Sequence, residues 1–559
     1  MGAYYLSNNP DTVDKVIELM RRKRLTKFET FRVQDLTILN FHKINVENYN
    51  NTYREGDNFI IGFGTYYCAD LFGQAALPHI WREYKAGNNV FAEVGGHFNF
   101  ILHDEGVTKI VSDKTGYYHA FHSAEQGRFY VSSSLFAVAE SLTELRLGKQ
   151  EILEFINVQT VFGDKTIFTN IDHLKAGCIF EAGLRLKENV YYQPEDENVS
   201  FAAFAEKISA YFDVFKHTDH LVSCDLSGGY DTRTVGAICM GNDIDVVYNT
   251  NTNDADPNDH LVAQQIAQKA GAQIETQTKD LARYDYQSLI DHCFDEMEIA
   301  RDVYFAAYSP VFFEEKSSGP DVIFGGYGGE LYRDKYSADK SLRELIAKRY
   351  ILPGIRFARG QRKVYADNLL QKFEKTLAGL GEKDTKKAME KIYYWEKMRY
   401  WGGARISAFN QYCFRVHPLI DYALMKYVFD VPLSAKRGSE FQKQVISCFA
   451  QNIANIPFSN EIPADLNKTR SPRDIIKSVR RKVESLGKKI IPFMPSSIAA
   501  PIMKRARKLP SFLRDYRSLP DHGLEDFLNL RRDDLASDLA IGRFLTIAKT
   551  IGKFREKIS

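Results

Sequence analysis

Residues 221–240 read LVSCDLSGGYDTRTVGAICM. The short run LVSC leads into a turn with two glycines, and TVGAICM follows with helical spacing. A strand that passes through a short turn into a helix is the first half of a parallel βαβ unit. The stretch therefore predicts an α/β domain, with the turn at the carboxyl end of a strand, where open parallel sheets bind ligands.

The segments that follow repeat this alternation. DVVYNT (245–250) reads as a strand, HLVAQQIAQKAG (260–271) as a helix and DVIFGG (321–326) as a later strand. From about 340 to 455 the pattern is mostly helical and rich in aromatic residues. We therefore assign residues 200–465 to one α/β domain with a parallel sheet and a helical extension.

The N-terminal part has a different sequence pattern. FIIGFGTYYCADLF (59–72), HFNFILHD (97–104) and RFYVSSSL (128–135) are branched or aromatic segments broken by Gly, Asp and Ser. Such segments are typical of antiparallel strands. Residues 1–195 are therefore predicted to form a layered α+β domain, which gives the whole chain a fold class of α/β plus α+β.

Composition excludes several classes of protein. A formal net charge of +2 over 559 residues argues against a nucleic-acid binder. The seven cysteines are scattered without a C-x-x-C pair, which predicts reduced thiols. The N-terminus lacks the pattern of a signal peptide, and no apolar run approaches the roughly 20 residues that span a bilayer. We expect a cytoplasmic protein.

Residues 466–559 form a third region, a basic helical extension, whose lysines and arginines concentrate between 477 and 508. Two interpretations stay open. The charges belong to a solvated helical face, or they form a patch for a membrane surface or another anionic partner.

The turn itself has the composition of an anion site. Gly228 and Gly229 let the backbone approach a phosphate closely, and Ser227 and Thr232 add hydroxyl donors at the start of a helix. Asp231 would repel a phosphate unless a cation lay between them, which implies Mg²⁺. The alternative is a plain glycine turn in which Asp231 caps the helix.

The sequence SGGYDTR resembles the pyrophosphate-binding SGGxDS loop of the asparagine synthetase family, which includes β-lactam synthetases and other ATP-dependent amide-forming enzymes. Further segments resemble that family in the same order along the chain. They are FAEVGGHFNFILHD (91–104), VSDKTGYYHAF (111–121), FYVSSSL (129–135), TIFTNIDHLKAGCIF (166–180), DVIFGGYGGELYRDKY (321–336) and RVHPLIDYALMKYVFDVP (415–432).

The resemblance implies an N-terminal Ntn-hydrolase-like layered domain and a C-terminal adenine-nucleotide α-hydrolase-like (PP-loop) domain. It implies that ATP activates a carboxylate as an acyl-adenylate, with release of pyrophosphate, before ammonia or another amine attacks. Ser227, Gly228, Gly229 and Thr232 would then cradle the pyrophosphate part of ATP, and Asp231 would hold Mg²⁺.

Other roles follow from the same resemblance. The strand that contains Val247 and Asn249 would lie against adenine. The second metal carboxylate of the family falls on Gly329 or Glu330, depending on a one-residue gap, and Glu330 is favoured because it keeps a carboxylate.

Two basic residues are candidates for the catalytic site. Lys468 is the closest match to the family's catalytic lysine, with an ordinary solvated lysine as the alternative. Arg233 is placed to bind a carboxylate or phosphate bidentately, or else to form a structural ion pair.

The chain departs from the family in its N-terminal domain. Glutamine-dependent members carry a cysteine directly after the initiator methionine, where this chain has Gly2, and their Asn-Gly-Glu segment aligns with Phe63-Gly64-Thr65. We therefore expect no glutaminase activity. The β-lactam-forming branch has a glutamate before the segment RVHPLID (415–421), and this chain lacks it.

The expected substrates are a small-molecule carboxylate and ammonia or an amine donor, and the resemblance extends to proteins thought to amidate uronic-acid sugars of bacterial surface polysaccharides. Two alternatives stay open: an intramolecular cyclase of the β-lactam or lasso-peptide type, and a non-catalytic protein that keeps the ATP fold. A homodimer is a further open expectation. The histidine pairs His119/His122 and His217/His220 are interpreted as ordinary core or surface residues.

Overall fold

The structure is a computed structural model, and it describes residues 2–46, 49–184, 186–252, 258–277, 286–303, 319–335, 341–351, 354–382, 385–458, 519–535 and 537–559. Lys468 and the basic segment 477–508 lie outside the described residues, so what the sequence predicts for them stays a prediction.

The described strands form three sheets. They are β1 (Ala3–Ser7), β2 (Phe28–Val33), β3 (Leu36–Phe41), β4 (Thr52–Glu55), β5 (Asn58–Cys68), β6 (Leu71–Phe72), β7 (Gly95–Asp104), β8 (Val107–Ser112), β9 (Phe121–Glu125), β10 (Arg128–Ser132), β11 (Asp172–His173), β12 (Cys178–Glu181), β13 (Lys187–Val190), β14 (Val222–Asp225), β15 (Val247–Asn251), β16 (Ile274–Gln277), β17 (Val322–Phe324) and β18 (Phe414–Val416).

The helices lie between and after these strands. They are α1 (Val13–Arg22), α2 (Leu77–Lys85), α3 (Leu135–Ser141), α4 (Lys149–Val158), α5 (Phe201–Asp213), α6 (Tyr230–Gly241), α7 (Asn258–Ala270), α8 (Tyr286–Met297), α9 (Leu342–Leu345), α10 (Arg359–Gly379), α11 (Thr385–Ile392), α12 (Gly403–Phe409), α13 (Tyr422–Val428), α14 (Leu433–Lys436), α15 (Glu440–Phe449), α16 (Gln451–Ala454), α17 (Leu524–Leu528) and α18 (Asp538–Lys553). The segments Ile346–Ile351 and Tyr393–Gly402 are π-helical.

Two antiparallel sheets occupy the N-terminal part, with strand orders β11-β9-β10-β1-β3-β2 and β13-β12-β8-β7-β5-β4, and β6 beside β5. The sheets stack: the ring of Tyr4 on β1 lies 4.7 Å from that of Phe63 on β5. Along β7, Ile101 packs between the sheets, whereas Phe100 packs with Trp81 of α2 on the other face. This alternation is that of a strand covered on both faces, and it confirms the predicted layering of sheets and helices.

The third sheet is parallel and has the order β16-β15-β14-β17-β18. The predicted α/β arrangement of strand, turn and helix is therefore confirmed. The first strand of the unit, β14, lies in the centre, because the chain adds β15 and β16 on one side and β17 and β18 on the other. The carboxyl end of β14 is thus at the topological switch point, where open α/β sheets form a crevice.

The N-terminal sheets draw their strands from residues 3–190 and the parallel sheet from residues 222–416. The division into three domains stays a prediction. The two parts meet directly, since Thr65 Oγ1 on β5 donates to Asn410 Oδ1, 2.9 Å away, just before β18. Within the described part of the chain, no helix has the length and apolar character needed to cross a membrane.

Candidate functional site

The turn after β14 is held by its own hydroxyl groups. The backbone N–H of Ser227 donates to Thr232 Oγ1 at 3.0 Å, the two hydroxyls lie 2.8 Å apart, and the N–H of Gly229 donates to Ser227 Oγ at 3.2 Å. Gly229 is the N-cap of α6, and no side chain caps this helix. The alternative in which Asp231 caps the helix is therefore wrong.

The turn already offers a donor to a negatively charged group. The N–H of Gly228 donates to Asp259 Oδ1, 2.9 Å away, in the first turn of α7. Sequence reasoning missed this contact, because Asp259 follows in the next βαβ unit and its sequence gives no sign of the pairing. In the structure, this backbone donor is paired with a carboxylate of the protein itself; binding of a phosphate by the loop stays a prediction.

A second glycine-rich turn, after β17, packs against the first. A Cβ atom on Gly326 would lie 2.7 Å from the backbone nitrogen of Thr232, and one on Gly329 would lie 2.2 Å from Asp231 Oδ1. Gly328 has a φ of +91°, which glycine adopts without strain. The glycines are therefore needed for close approach, and they bring the ends of two neighbouring parallel strands into contact.

Asp231 accepts hydrogen bonds from side chains of two other segments of the chain. Arg333 Nη2 donates to both of its carboxylate oxygens at 2.9 Å, and Gln442 Nε2 of α15 donates to Oδ1 at 3.0 Å. Burial raises the pKa of the Asp231 carboxyl; the Arg333 guanidinium opposes the rise, and the charge of Glu330 adds to it. The sequence predicts Mg²⁺ beside Asp231, and this stays a prediction; in the structure the guanidinium of Arg333 lies against the carboxylate.

Glu330 lies in a short 3₁₀ turn, Gly329–Tyr332, next to Asp231. Its Oε1 is 3.7 Å from Lys335 Nζ. Because Gly329 has no side chain and touches Asp231 through its backbone, Glu330 is the residue of the two that adds a second carboxylate to the crevice. Its role as a metal ligand stays a prediction.

Arg233 is placed differently from the catalytic expectation. Its side chain is 0% exposed, and its guanidinium donates to the carbonyl oxygens of Ile456 at 2.6 Å, Gly228 at 3.1 Å and Pro457 at 3.2 Å. A group so enclosed in backbone carbonyls does not reach a substrate. We correct the expectation accordingly: Arg233 is a positioning residue that ties the loop to the segment after α16.

The strand expected to contact adenine lies inside the sheet. Val247 pairs with Ser223 of β14, and Asn249 pairs with Asp225 on one side and Glu275 of β16 on the other. Since both edges of β15 are paired, we expect a base to meet the end of this strand rather than its backbone edges. The contact of Val247 and Asn249 with adenine stays a prediction.

The end of β18 completes the crevice. Arg415 Nη1 lies 3.5 Å from Asp225 Oδ2 at the end of β14. His417, directly after β18, stacks on Tyr327 of the glycine-rich turn with a centroid distance of 4.6 Å and an interplanar angle of 12°. Burial lowers the pKa of His417 well below its usual value, and Arg415 lowers it further. The imidazole is therefore neutral and aromatic in character here.

The structure leaves little space for a side chain at Gly2, the position where glutamine-dependent members of the family carry the nucleophilic cysteine. Gly2 is buried, and a Cβ atom there would lie 2.9 Å from the carbonyl oxygen of His42 and 3.0 Å from Leu25 Cδ2. Thr65 aligns with the glutamine-binding segment of the family, and its hydroxyl group donates a hydrogen bond to Asn410. Burial raises the pKa of the Cys68 thiol to about 11. Burial therefore disfavours the thiolate form of Cys68.

One histidine of each pair, His119 and His220, has an ordinary partner. His119 Nε2 lies 2.9 Å from the carbonyl oxygen of Arg399, and His220 Nδ1 lies 3.3 Å from Asp321 Oδ2. Among the described residues, no group of three or more His, Cys, Asp or Glu side chains is arranged to hold a metal ion.

Part of the N-terminal layers is similar to a known domain family. Residues 78–192 match the glutamine amidotransferase domain family GATase_6. This stretch is amidotransferase-like, and a domain of this type indicates an amide-transfer enzyme. A search of curated proteins found no match.

Two solved structures are similar only at a low level. An allosteric regulatory enzyme of purine biosynthesis gives a TM-score of 0.23 at 6% identity, over 55% of this chain and 91% of that one. Glutamine phosphoribosylpyrophosphate amidotransferase from B. subtilis, in complex with ADP and GMP, gives 0.22 at 7% identity, over 49% and 65%. Scores this low establish neither a shared fold nor a shared function.

Proposed function

We propose that the protein is an ATP-dependent amide-forming enzyme of the asparagine synthetase kind. It adenylates a substrate carboxylate, releases pyrophosphate and transfers ammonia or another amine to the acyl group. The observation that carries the proposal is the contact between the Ser227–Thr232 turn and the Gly325–Glu330 turn, at the switch point of a parallel sheet. The amidotransferase-type domain at 78–192 supports the amide-transfer half of the reaction.

The backbone of the first turn would bind the pyrophosphate part of ATP. The N–H of Gly228 donates to a carboxylate oxygen in the structure, and a phosphate oxygen requires the same donor geometry. The bonds between Ser227 and Thr232 hold the turn in shape before any ligand arrives. Such preorganised donors stabilise charge without a cost of reorganisation during the reaction.

Asp231 and Glu330 fit a magnesium ion by their chemistry. They are two carboxylates close enough for the charge of Glu330 to raise the pKa of Asp231, and Mg²⁺ beside ATP is typically held by one or two carboxylates together with phosphate oxygens. Bound there, the ion would offset the negative charge of the phosphates. Arg333 adds a fixed positive charge on the same side of Asp231.

The nitrogen would come from outside the N-terminal domain. Two observations support a domain without a thiolate nucleophile. There is no room for a side chain at Gly2, and burial raises the pKa of the Cys68 thiol. The proposal keeps Lys468 as the cation that stabilises the adenylate as it reacts. Its substrate class, a uronic-acid sugar of a bacterial surface polysaccharide, rests on the resemblance of the loop sequences.

The test is acid-dependent exchange of pyrophosphate into ATP. Wild-type protein with Mg²⁺ and a panel of acids, uronic acids included, should exchange with at least one acid, whereas Asp231→Asn should not. If no acid supports exchange or AMP formation although ATP binds, the proposal fails. Mass spectrometry of the product separates amide transfer from cyclisation, because cyclisation loses water without gaining nitrogen.

A further inference from the structure

A pocket of about 280 Å³ lies between the π-helical segment Ile346–Ile351 and the first turns of α10. Its floor is apolar, because Ile346 and Ile351 line it and are only 1% and 4% exposed. Ala366 of α10 also lines the pocket, and its small side chain leaves the space open. The volume is close to the lower end of the roughly 300–1,000 Å³ that small-molecule sites occupy.

The π-helical segment gives the pocket an unusual wall. π-Helices are rare, and their single wide turns are frequently found at functional sites. Here the apolar residues of the segment line the pocket. Its charged residues have partners elsewhere, since Lys348 pairs with Glu344 and Arg349 donates to the carbonyl oxygen of Lys335, 2.8 Å away. The wide turn therefore keeps an apolar surface for the pocket.

Three basic side chains line the same pocket, Arg343 of α9 and Arg362 and Lys363 of α10. Among the described residues that line it, none is acidic. Arg343 pairs with Asp367, 3.2 Å away, but the two side chains are 71% and 43% exposed, and an ion pair in water contributes little. The pocket thus combines an apolar floor with an excess of positive charge.

The periodicity of α10 explains why the two kinds of group occur together. Ala366 follows Lys363 by three residues and Arg362 by four, and these spacings place side chains on one face of a helix. The basic groups therefore lie beside the space that Ala366 leaves open. A ligand that fills this space would meet the cations at one end and the isoleucines of the π-helical segment at the other.

This combination selects an anion that is joined to a hydrocarbon chain. Guanidinium groups bind phosphate oxygens in pairs, and a phosphate monoester carries a charge of about −1.5 to −2 near pH 7. Such a charge matches three cations better than the single charge of a carboxylate. Inorganic phosphate would leave the apolar floor in contact with water, whereas an aliphatic chain would cover it.

We propose that this pocket binds a phosphate ester of an aliphatic chain. The phosphate lies among Arg343, Arg362 and Lys363, and the chain lies on Ile346 and Ile351. The ligand is a single lipid phosphate and not a membrane surface, because the apolar floor is concave and buried, whereas membrane binding requires apolar side chains on an outward face. The inference goes beyond the proposed function, since none of these residues is assigned to ATP or Mg²⁺.

Calorimetric titration of the full chain with alkyl phosphates, below their micellar concentrations, tests the ligand class. Octyl phosphate should bind, and the affinity should rise about 2- to 4-fold for each methylene between butyl and octyl phosphate, because each methylene leaves water. Octanol lacks the charge and inorganic phosphate lacks the chain, so both should bind at least 10-fold more weakly. Failure of octyl phosphate to bind, or an affinity that does not depend on chain length, overturns the proposal.

Two variants test whether this pocket is the site. Ala366→Trp fills the pocket and should weaken the binding of octyl phosphate at least 10-fold. Lys363→Gln removes one cation and should weaken it about 3- to 10-fold. Lys375→Gln is the matched control and should bind like wild-type protein, since Lys375 is an exposed lysine of the same helix, about 18 Å further along.

Lys363 is exposed, so its variant keeps the test decisive if Ala366→Trp does not fold. An affinity for octyl phosphate in the folded Ala366→Trp variant equal to that of wild-type protein overturns the proposal. If Ala366→Trp does not fold, an unchanged affinity in Lys363→Gln does the same.

Vesicles separate a pocket for a lipid phosphate from a basic surface that binds membranes. The protein is sedimented with vesicles of phosphatidylglycerol and, for comparison, of phosphatidylcholine. Sedimentation with phosphatidylglycerol that neither variant reduces, together with no binding of octyl phosphate, would assign the charges to a membrane surface and overturn the proposal. Binding of octyl phosphate that Ala366→Trp abolishes, without sedimentation, supports a free lipid phosphate as the ligand.

Discussion

Arg333 donates from a single nitrogen, Nη2, to both carboxylate oxygens of Asp231, 2.9 Å from each. The two residues come from the turns after β14 and β17, so this ion pair joins the two loops on which the proposed function rests. Each side chain is 28% exposed, which places the pair at the wall of the crevice rather than in the core. Arg333 therefore holds the Asp231 carboxylate in position, and the carboxylate stays exposed on the side of the crevice where the ligand is proposed to bind.

The first prediction concerns the strength of this pair. In a double-mutant cycle of Asp231→Asn and Arg333→Gln, we expect a coupling free energy of about 1–2 kcal/mol, because both partners are partly shielded from water. Urea unfolding of the four proteins measures it. A coupling near zero would mean that the pair does not hold the loops together.

The second prediction concerns Gly329. Gly329→Ala places a methyl group 2.2 Å from Asp231 Oδ1, so the two turns must separate. We expect the Kd for ATP with Mg²⁺ to rise about 10-fold or more, the equivalent of about 1.4 kcal/mol. Calorimetric titration measures it, with Gly379→Ala as the control, because a Cβ atom on Gly379 meets nothing within 4 Å. Equal affinities for the two variants would refute the close packing of the turns.

The third prediction concerns the missing glutaminase. Restoring the nucleophile with Gly2→Cys should not produce glutamate from glutamine, since the new side chain would lie against the carbonyl oxygen of His42. It should also lower the free energy of unfolding by about 1–3 kcal/mol, as overpacking does. Gly379→Cys, in open space, is the matched control for stability. Measurable glutamine hydrolysis by Gly2→Cys would contradict the steric account.

The fourth prediction concerns the buried carboxyl group of Glu396. Burial raises the pKa of Glu396 to about 7, against its hydrogen bonds from Thr376 and the N–H of Gly163. Between about pH 4.5 and 7 the native state keeps a proton that the unfolded state has lost, so the stability of the protein falls as the pH rises.

Glu396→Gln removes this dependence. Relative to wild-type protein, the variant should gain stability as the pH rises to about 7, by about 3 kcal/mol at 1.36 kcal/mol per pKa unit. The advantage should vanish below about pH 4.5. Urea unfolding at several pH values checks it, with the exposed Glu105→Gln as the control. If the difference in stability between Glu396→Gln and wild-type protein did not change with pH, Glu396 would not be the group that titrates in this range.

The sequence was sufficient to predict the framework of the site. The alternation of LVSC, a glycine turn and TVGAICM gave β14 and α6, and DVVYNT gave β15, because local pattern determines such elements. The interpretation of the turn as an anion site rests on its glycine and hydroxyl residues, and it stays a prediction. These features depend on neighbours in the chain.

The partners of Asp231 were harder to predict. Arg333 lies 102 residues away and Gln442 211 residues away, and only the folded sheet brings them to one carboxylate. Arg333 closely follows the glycine-rich turn in the sequence, so its positive charge indicates a possible partner for Asp231. Nothing in the sequence around Gln442 indicates that it contacts Asp231. For Arg233 the sequence predicts a catalytic role, because it does not reveal the direction of a side chain, and the structure buries this one against carbonyl groups.

The most direct test of adenylation follows one oxygen atom. An acid that supports pyrophosphate exchange is prepared with ¹⁸O in its carboxylate and incubated with ATP, Mg²⁺ and the amine. Because the carboxylate oxygen attacks the α-phosphorus, the account predicts that AMP carries one ¹⁸O atom after amide formation. Label in inorganic phosphate, with ADP as the other product, would show an acyl phosphate instead and would contradict the central claim.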